Sequence, residues 1–244
     1  MTPLWLTEAA DQFWTWAGER EGFPRRLERS VAFALPLTII ALPRLRLHAI
    51  DTWLAQQSVA ASLHQGNRRL RGCLVAYGGS GLVFLDGTDP DDERRFSLAH
   101  EVAHFLLDYH LPRQAALARL GERIRPVLDG LRPPTQTERI DAVLSRTPLG
   151  LHLHLLERGA WGYAEGRVEE AERRADDLAL ELLAPADEAL RRLTASGEAL
   201  SVERAVALLT GDMGLPQAAA EVYARRLVGP SRPPLSFVRR IGAR

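Results

Sequence analysis

The sequence pattern predicts an amphipathic helix at residues 96–109. Ionisable residues lie at or near the side of this helix that should be buried. Its apolar residues recur at helical spacing and predict that the helix packs into a core. His100, Glu101 and His104 then lie at or near the core boundary, where an unpaired polar group costs free energy. The fold must therefore provide partners for these three side chains.

The pattern of residues 100–104 is HExxH. Positions four apart on an α-helix are rotated by only about 40°, so the imidazoles of His100 and His104 can both reach one metal ion. Glu101 lies roughly 100° round the helix from His100, where it can take a proton from an activated water without being a ligand. The motif predicts a metal centre in which Glu101 is the general base.

A catalytic zinc site needs a third protein ligand, and two parts of the chain offer one. His110 stands where the longer pattern HExxHxxGxxH has its third histidine, but Leu107 replaces the glycine, and a continuous helix turns His110 about 80° to the wrong side. Residues 168–183 form a second predicted helix, in which Glu172 and Asp176 share a face. One carboxylate could bind the metal while the other accepts the N–H of a zinc histidine. A set of two histidines and one glutamate favours Zn²⁺.

The composition narrows the class of protein. All 31 basic residues are arginine and are balanced by 31 acidic ones, which argues against attraction of the whole molecule to nucleic acid or membranes. Cys73 is the only cysteine, so internal disulfides and cysteine-based zinc sites are excluded and a reducing cytoplasm is expected. The longest apolar run, residues 31–43, contains Pro36 and is shorter than the roughly 18 to 20 residues of a membrane span.

The periodicity predicts an α+β protein that is mostly helical. Strands are expected at residues 37–42, 70–77 and 81–85, with the last two joined as a hairpin through Gly78 and Gly79. Helices are expected at residues 7–19 with Thr7 as N-cap, 45–56, 96–109 ending near Pro112, 114–125, 135–144, 168–183, 187–193, 202–210 and 216–227.

The segments RRFSLAHEVAHFLLDY and EEAERRADDLALELLAP resemble the two motifs of the ImmA/IrrE family of bacterial metallopeptidases. The resemblance covers about residues 69–185 and implies a gluzincin-like zinc peptidase core with a small β-sheet, followed by a helix-turn-helix-like bundle. It implies that His100, His104 and Glu172 bind Zn²⁺ and that Glu101 is the general base. Asp176 stands where the family usually has asparagine, and we expect it to hold a zinc histidine in place.

The resemblance also suggests the substrate and the domain plan. The substrate would be a DNA-binding repressor or an antitoxin-like protein, cleaved in a stress or mobile-element response. The expected plan is an N-terminal region (1–65), a peptidase core (66–185) with a helical insertion (112–166), a C-terminal bundle (186–228), and a basic tail rich in proline and arginine (229–244).

Several side chains keep open roles. His152 and His154 lie in the insertion; in a strand they would share a face and could bind metal, and otherwise they are ordinary hydrogen-bonded histidines. Tyr109, Tyr163 and His152 are candidates for stabilising the oxyanion of a peptidase.

An alternative function is a metal-bearing regulatory protein that binds DNA or a repressor without cleaving it. Residues 202–227 read as helix, glycine turn and helix. The second helix would present only Arg225 and Arg226 as basic groups beside Glu221, which opposes phosphate contact. Packing is therefore the favoured role of these helices, and direct binding of nucleic acid is not favoured.

Overall fold

A four-stranded sheet with helices on both faces organises the chain. The computed structural model describes residues 2–57, 67–141, 143, 147–157, 166–195, 197 and 199–229. Its strands are β1 (Leu37–Leu42), β2 (Leu70–Tyr77), β3 (Ser80–Asp86) and β4 (His152–Glu157), in the spatial order β1-β3-β2-β4. β1 is parallel to β3, whereas β2 is antiparallel to both β3 and β4. The small sheet and the mostly helical α+β class are as predicted.

The predicted hairpin is confirmed in the β2–β3 pair. Gly78 and Gly79 make the turn with φ angles of 61° and 91°, which glycine adopts without steric cost. The three strands expected from the sequence lie within one residue of their predicted bounds. The alternating and apolar patterns were therefore sufficient to locate this part of the sheet.

The helices follow the predicted order, with two additional helices, at residues 27–34 and 125–128, that the sequence pattern did not predict. In chain order the helices are α1 (Leu4–Ala17), α2 (Leu27–Ala34), α3 (Leu47–Gln56), α4 (Asp91–His104), α5 (Leu111–Leu120), α6 (Arg125–Leu128), α7 (Gln136–Ile140), α8 (Gly166–Leu183), α9 (Ala186–Ala195), α10 (Val202–Gly211) and α11 (Gln217–Val228). A π-helical segment, Phe105–His110, joins α4 to α5 without a break.

Several predicted helix boundaries were wrong: α5 ends at Leu120 and α7 at Ile140, and neither Thr7 nor Pro112 marks a helix end. Thr7 does not cap α1, which begins at Leu4 after the extended backbone of Pro3, and the Thr7 hydroxyl instead donates to the Leu4 carbonyl at 2.9 Å. Pro112 does not end the helix that follows the HExxH motif. It lies at the start of α5, directly after the π-helical segment through which the helix continues.

The segment 112–166 was expected to be a helical insertion, and this expectation was wrong in part. It contains β4, which pairs with β2 at the edge of the sheet. The sequence His-Leu-His-Leu alternates at the period of a strand, so Leu153 and Leu155 pack on one face of the sheet and the two histidines belong to the other. Positions 142, 144–146 and 158–165 of this segment lie outside the described residues.

Different helices pack on the two faces of the sheet, and α4 lies on one of these faces. Leu74 and Val83 contribute to the main core, together with Val102 of α4 and Ala179 of α8. On the opposite face, Cys73, Val75 and Phe84 pack with Ile50 and Leu54 of α3, as part of a second cluster of buried residues. The HExxH helix is therefore enclosed between the sheet and α8.

The C-terminal helices pack onto α8 and the segment after it. The Tyr223 hydroxyl donates to the Ala184 carbonyl at 3.0 Å, and Arg226 of α11 donates to Asp177 of α8 at 2.5 Å. Arg225 pairs with Glu221 within α11. Each arginine of the second helix thus has an acidic partner, which for Arg226 is on α8 and for Arg225 is on the exposed surface of α11 itself. The predicted basic tail lies outside the described residues from position 230 onward.

Among the described residues, no helix combines the length and the apolar character needed to cross a bilayer.

Candidate metal centre

Side chains from α4, α8 and β4 meet in one cluster, which we refer to as the His-Glu cluster: His100, His104, His154 and Glu172. Each of these residues offers one ligand atom, and these atoms all lie within 4.8 Å of one another. His100, His104 and Glu172 are buried, whereas His154 is half-buried. The structure therefore brings together the three ligands expected from the sequence and adds a third histidine to them.

The distances within the His-Glu cluster suit a shared cation. The Nε2 atoms of His100 and His104 are 3.1 Å apart. Glu172 approaches both, with Oε2 3.3 Å from His100 Nε2 and Oε1 3.6 Å from His104 Nε2. Neutral imidazoles that donate from Nδ1 would point their Nε2 lone pairs at one another and at the carboxylate. A positive charge, either a metal ion or protons, must therefore reside among these atoms, and imidazole with carboxylate is a donor set that Zn²⁺ accepts.

Two carboxylates outside the cluster fix the imidazoles of α4. His100 Nδ1 donates to Asp176 Oδ1 at 3.0 Å, and Asp176 is fully buried. His104 Nδ1 donates to Asp108 Oδ2 at 2.7 Å. Such bonds hold the tautomer in which Nε2 is free to bind a metal. Asp176 thus contacts one of the two motif histidines, and its role in a metal site stays a prediction. Asp108 was missed although it lies one helical turn after His104.

Glu101 lies beside the His-Glu cluster. One of its carboxylate oxygens accepts a hydrogen bond, and the other has no partner among the described residues. Its Oε2 accepts a hydrogen bond from His154 Nδ1 at 2.9 Å. Its Oε1 is buried and has no hydrogen-bond partner among the described residues. Gly72 of β2 lies directly against this oxygen, because a Cβ atom at that position would be 2.7 Å from it. A buried carboxylate oxygen without a protein partner is suited to accept a proton from water.

Replacing Gly72 with alanine tests whether the position of Glu101 matters. The added methyl group would also lie 3.0 Å from Glu101 Cγ, so the carboxylate must shift. We expect Gly72→Ala to lower kcat/KM for peptide hydrolysis by at least about tenfold and to leave the metal content unchanged. Gly211→Ala is the control, because nothing lies within 4 Å of a Cβ at that position. Equal activity of the two variants would refute this role of Gly72.

The other candidate residues that the structure describes do not belong to the His-Glu cluster. His110 packs its ring against Trp16 and Phe105 and bonds to Gln114, so the structure does not bring it to the other ligands. The Tyr109 hydroxyl accepts a hydrogen bond from the Gly79 backbone N–H at 2.8 Å. His152 stacks near Tyr109, with ring centroids 6.0 Å apart. Tyr163 lies outside the described residues.

The electrostatics of the metal-free cluster favour protonated histidines. Burial alone would lower the pKa of His100, but hydrogen bonds to Asp176 and Glu172 outweigh it and raise this pKa well above its usual value. Burial also opposes the charge on His154, yet Glu101 and Glu172 raise its pKa to about 9. Hydrogen bonds from the histidines lower the pKa of Glu172 far below its usual range, against the effect of burial. The metal-free cluster thus favours the protonated forms of His100 and His154.

Metal binding should therefore release protons. His100 and His154 have raised pKa values in the metal-free protein, and a metal can bind only their neutral forms. When the pH is raised from 7 to 8, the apparent affinity for Zn²⁺ should increase about tenfold for each proton that the metal displaces. Calorimetric titration with Zn²⁺ in buffers of different ionisation enthalpy measures the number released. An affinity that is independent of pH across this range would contradict the prediction.

A buried imidazole and carboxylate cluster beside a glutamate of the HExxH helix is the arrangement of a metallopeptidase. Residues 48–125 match the model of a peptidase family, described as the IrrE N-terminal-like domain of peptidase family M78. This match supports the resemblance to the ImmA/IrrE family over about a third of the chain. The matched range contains the HExxH motif, whereas His154 and Glu172 lie beyond it. No curated protein and no solved structure matches the chain.

Proposed function

We propose that this protein is a zinc-dependent endopeptidase in which His100, His104 and Glu172 hold the metal. One observation carries the proposal: the three expected donors converge in a buried cluster beside a glutamate that has one free oxygen. A bound Zn²⁺ would supply Lewis acidity and lower the pKa of a water molecule. The protein's own contribution is then to hold the donors and to move a proton.

Glu101 is the group that moves the proton. Its free Oε1 accepts a proton from the attacking water, and the water oxygen forms a bond to the peptide carbonyl carbon. The same proton is then delivered to the amine nitrogen as the C–N bond breaks. Asp176 and Asp108 keep the two α4 imidazoles in the tautomer that leaves Nε2 available.

We further propose that the substrate is a protein, specifically a DNA-binding repressor or an antitoxin-like regulator in the cytoplasm. This step rests on the family alone. The test is to incubate the zinc-loaded protein with the repressor encoded nearest to its own gene, and to identify the fragments by mass spectrometry. One pair of fragments that together account for the intact repressor supports the substrate class. Tight binding without cleavage would instead favour the alternative function, a regulatory protein without peptidase activity.

A further inference from the structure

The three histidines of the His-Glu cluster share one arrangement. Each has a carboxylate at Nδ1: Asp176 for His100, Asp108 for His104 and Glu101 for His154. Each also directs its Nε2 toward Glu172, at distances of 3.3, 3.6 and 2.8 Å respectively. An outer carboxylate on one nitrogen and a free second nitrogen is the usual setting of a metal-binding histidine. His154 therefore has the same surroundings as the two histidines of the motif.

The fold holds His154 in this place through the backbone of β4. His154 is paired with Leu74 of β2, and residues directly opposite in an antiparallel pair point to the same face of the sheet. Leu74 belongs to the core that covers α4, so the imidazole must point toward α4. It stacks on the ring of His104, with centroids 3.6 Å apart. Both the strand pairing and the stacking restrict the imidazole to the cluster.

We propose that His154 is a fourth metal-binding side chain in the resting protein, and that Glu101 is its outer hydrogen-bond partner. The proposal rests on the proposed function, because it assumes that the cluster binds a metal. Catalytic zinc sites commonly have three protein ligands and leave one position for water. With His154 bound, water must enter either as a fifth ligand or in the place of His154. Glu101 would then have two roles, with Oε2 holding His154 and Oε1 facing water.

The coordination of Co²⁺ in place of Zn²⁺ tests this assignment without an activity assay. Four-coordinate Co²⁺ absorbs visible light strongly, and the absorption weakens when water raises the coordination number. We expect strong absorption in the wild type. In His154→Ala, where water can take the place of the imidazole, we expect a shifted absorption band and an affinity for Co²⁺ that is lower by at least about tenfold. His152→Ala is the matched control, because it removes an imidazole from the same face of the same strand and lies outside the cluster.

The outcomes separate this inference from the proposed function. If the wild type binds no Co²⁺ or Zn²⁺, the proposed function fails. If the wild type binds Co²⁺ and His154→Ala matches it in spectrum and affinity, only the role of His154 is overturned. X-ray absorption of the zinc-loaded wild type covers the case in which His154→Ala does not fold. A shell of three imidazoles supports the inference, and a shell of two contradicts it.

Discussion

Glu101→Gln should slow peptide-bond hydrolysis by about 10²- to 10⁴-fold, the usual contribution of a general base. The amide keeps nearly the shape of the carboxylate but cannot accept a proton from water at neutral pH. Since Glu101 is placed beside the donors and not among them, the variant should still bind one equivalent of metal. The measurement is the rate of substrate cleavage together with the metal content of the same preparation.

The matched control for this variant is Glu170→Gln. Glu170 is an exposed glutamate of α8, so its replacement changes the charge of the chain by the same amount without touching the His-Glu cluster. We expect its cleavage rate to equal that of the wild type. If Glu101→Gln cleaves as fast as Glu170→Gln, the assignment of Glu101 as the general base is wrong.

Zn²⁺ should raise the melting temperature of the wild type by several degrees. A ligand at 100 times its Kd stabilises the folded state by about 2.7 kcal/mol, and for a chain of this size each kcal/mol corresponds to about 2–4 °C. We therefore expect a rise of about 5–10 °C under those conditions. The physical reason is that the metal replaces protons among four closely packed donors that exist only in the folded chain.

His100→Ala should abolish this rise in melting temperature. His100 is fully buried and contacts both Asp176 and Glu172, so its loss removes one metal donor and one histidine contact of each carboxylate. The control is His48→Ala, because His48 is an exposed histidine of α3. This control should keep the full effect of Zn²⁺. An equal rise in both variants would show that the metal stabilises the protein from another site.

Local patterns in the sequence were sufficient to predict the HExxH helix and the position of its two histidines. The four-residue spacing of His100 and His104 is a property of the helix itself, so their common direction follows without knowledge of the fold. The same argument would have found Asp108, which stands four residues after His104 and pairs with it. The prediction of Glu172 as a ligand needed two further arguments, the need for a third ligand and the resemblance to a family. Local spacing was not enough because the distance from Glu172 to the histidines depends on how α8 packs against α4.

The parts that sequence reasoning missed or left open depend on contacts between distant segments. His154 reaches the cluster only because β4 pairs with β2 in a register that sets it opposite Leu74. A segment that was read as a helical insertion could not supply that register. Gly72 is similar, since its role is to leave space for a glutamate on another element. The π-helical segment after His104 has no clear signal in the spacing of apolar residues, and Pro112 suggested an end where the helix continues.

The most direct test of metal-dependent hydrolysis is the cleavage of one protein substrate by one preparation in three states. These states are the zinc-loaded protein, the same protein after a chelator has removed the metal, and the chelated protein after Zn²⁺ is restored. We predict cleavage in the first state, none in the second and full recovery in the third. Undiminished cleavage by the chelated protein, with no metal detected in it, would contradict the account.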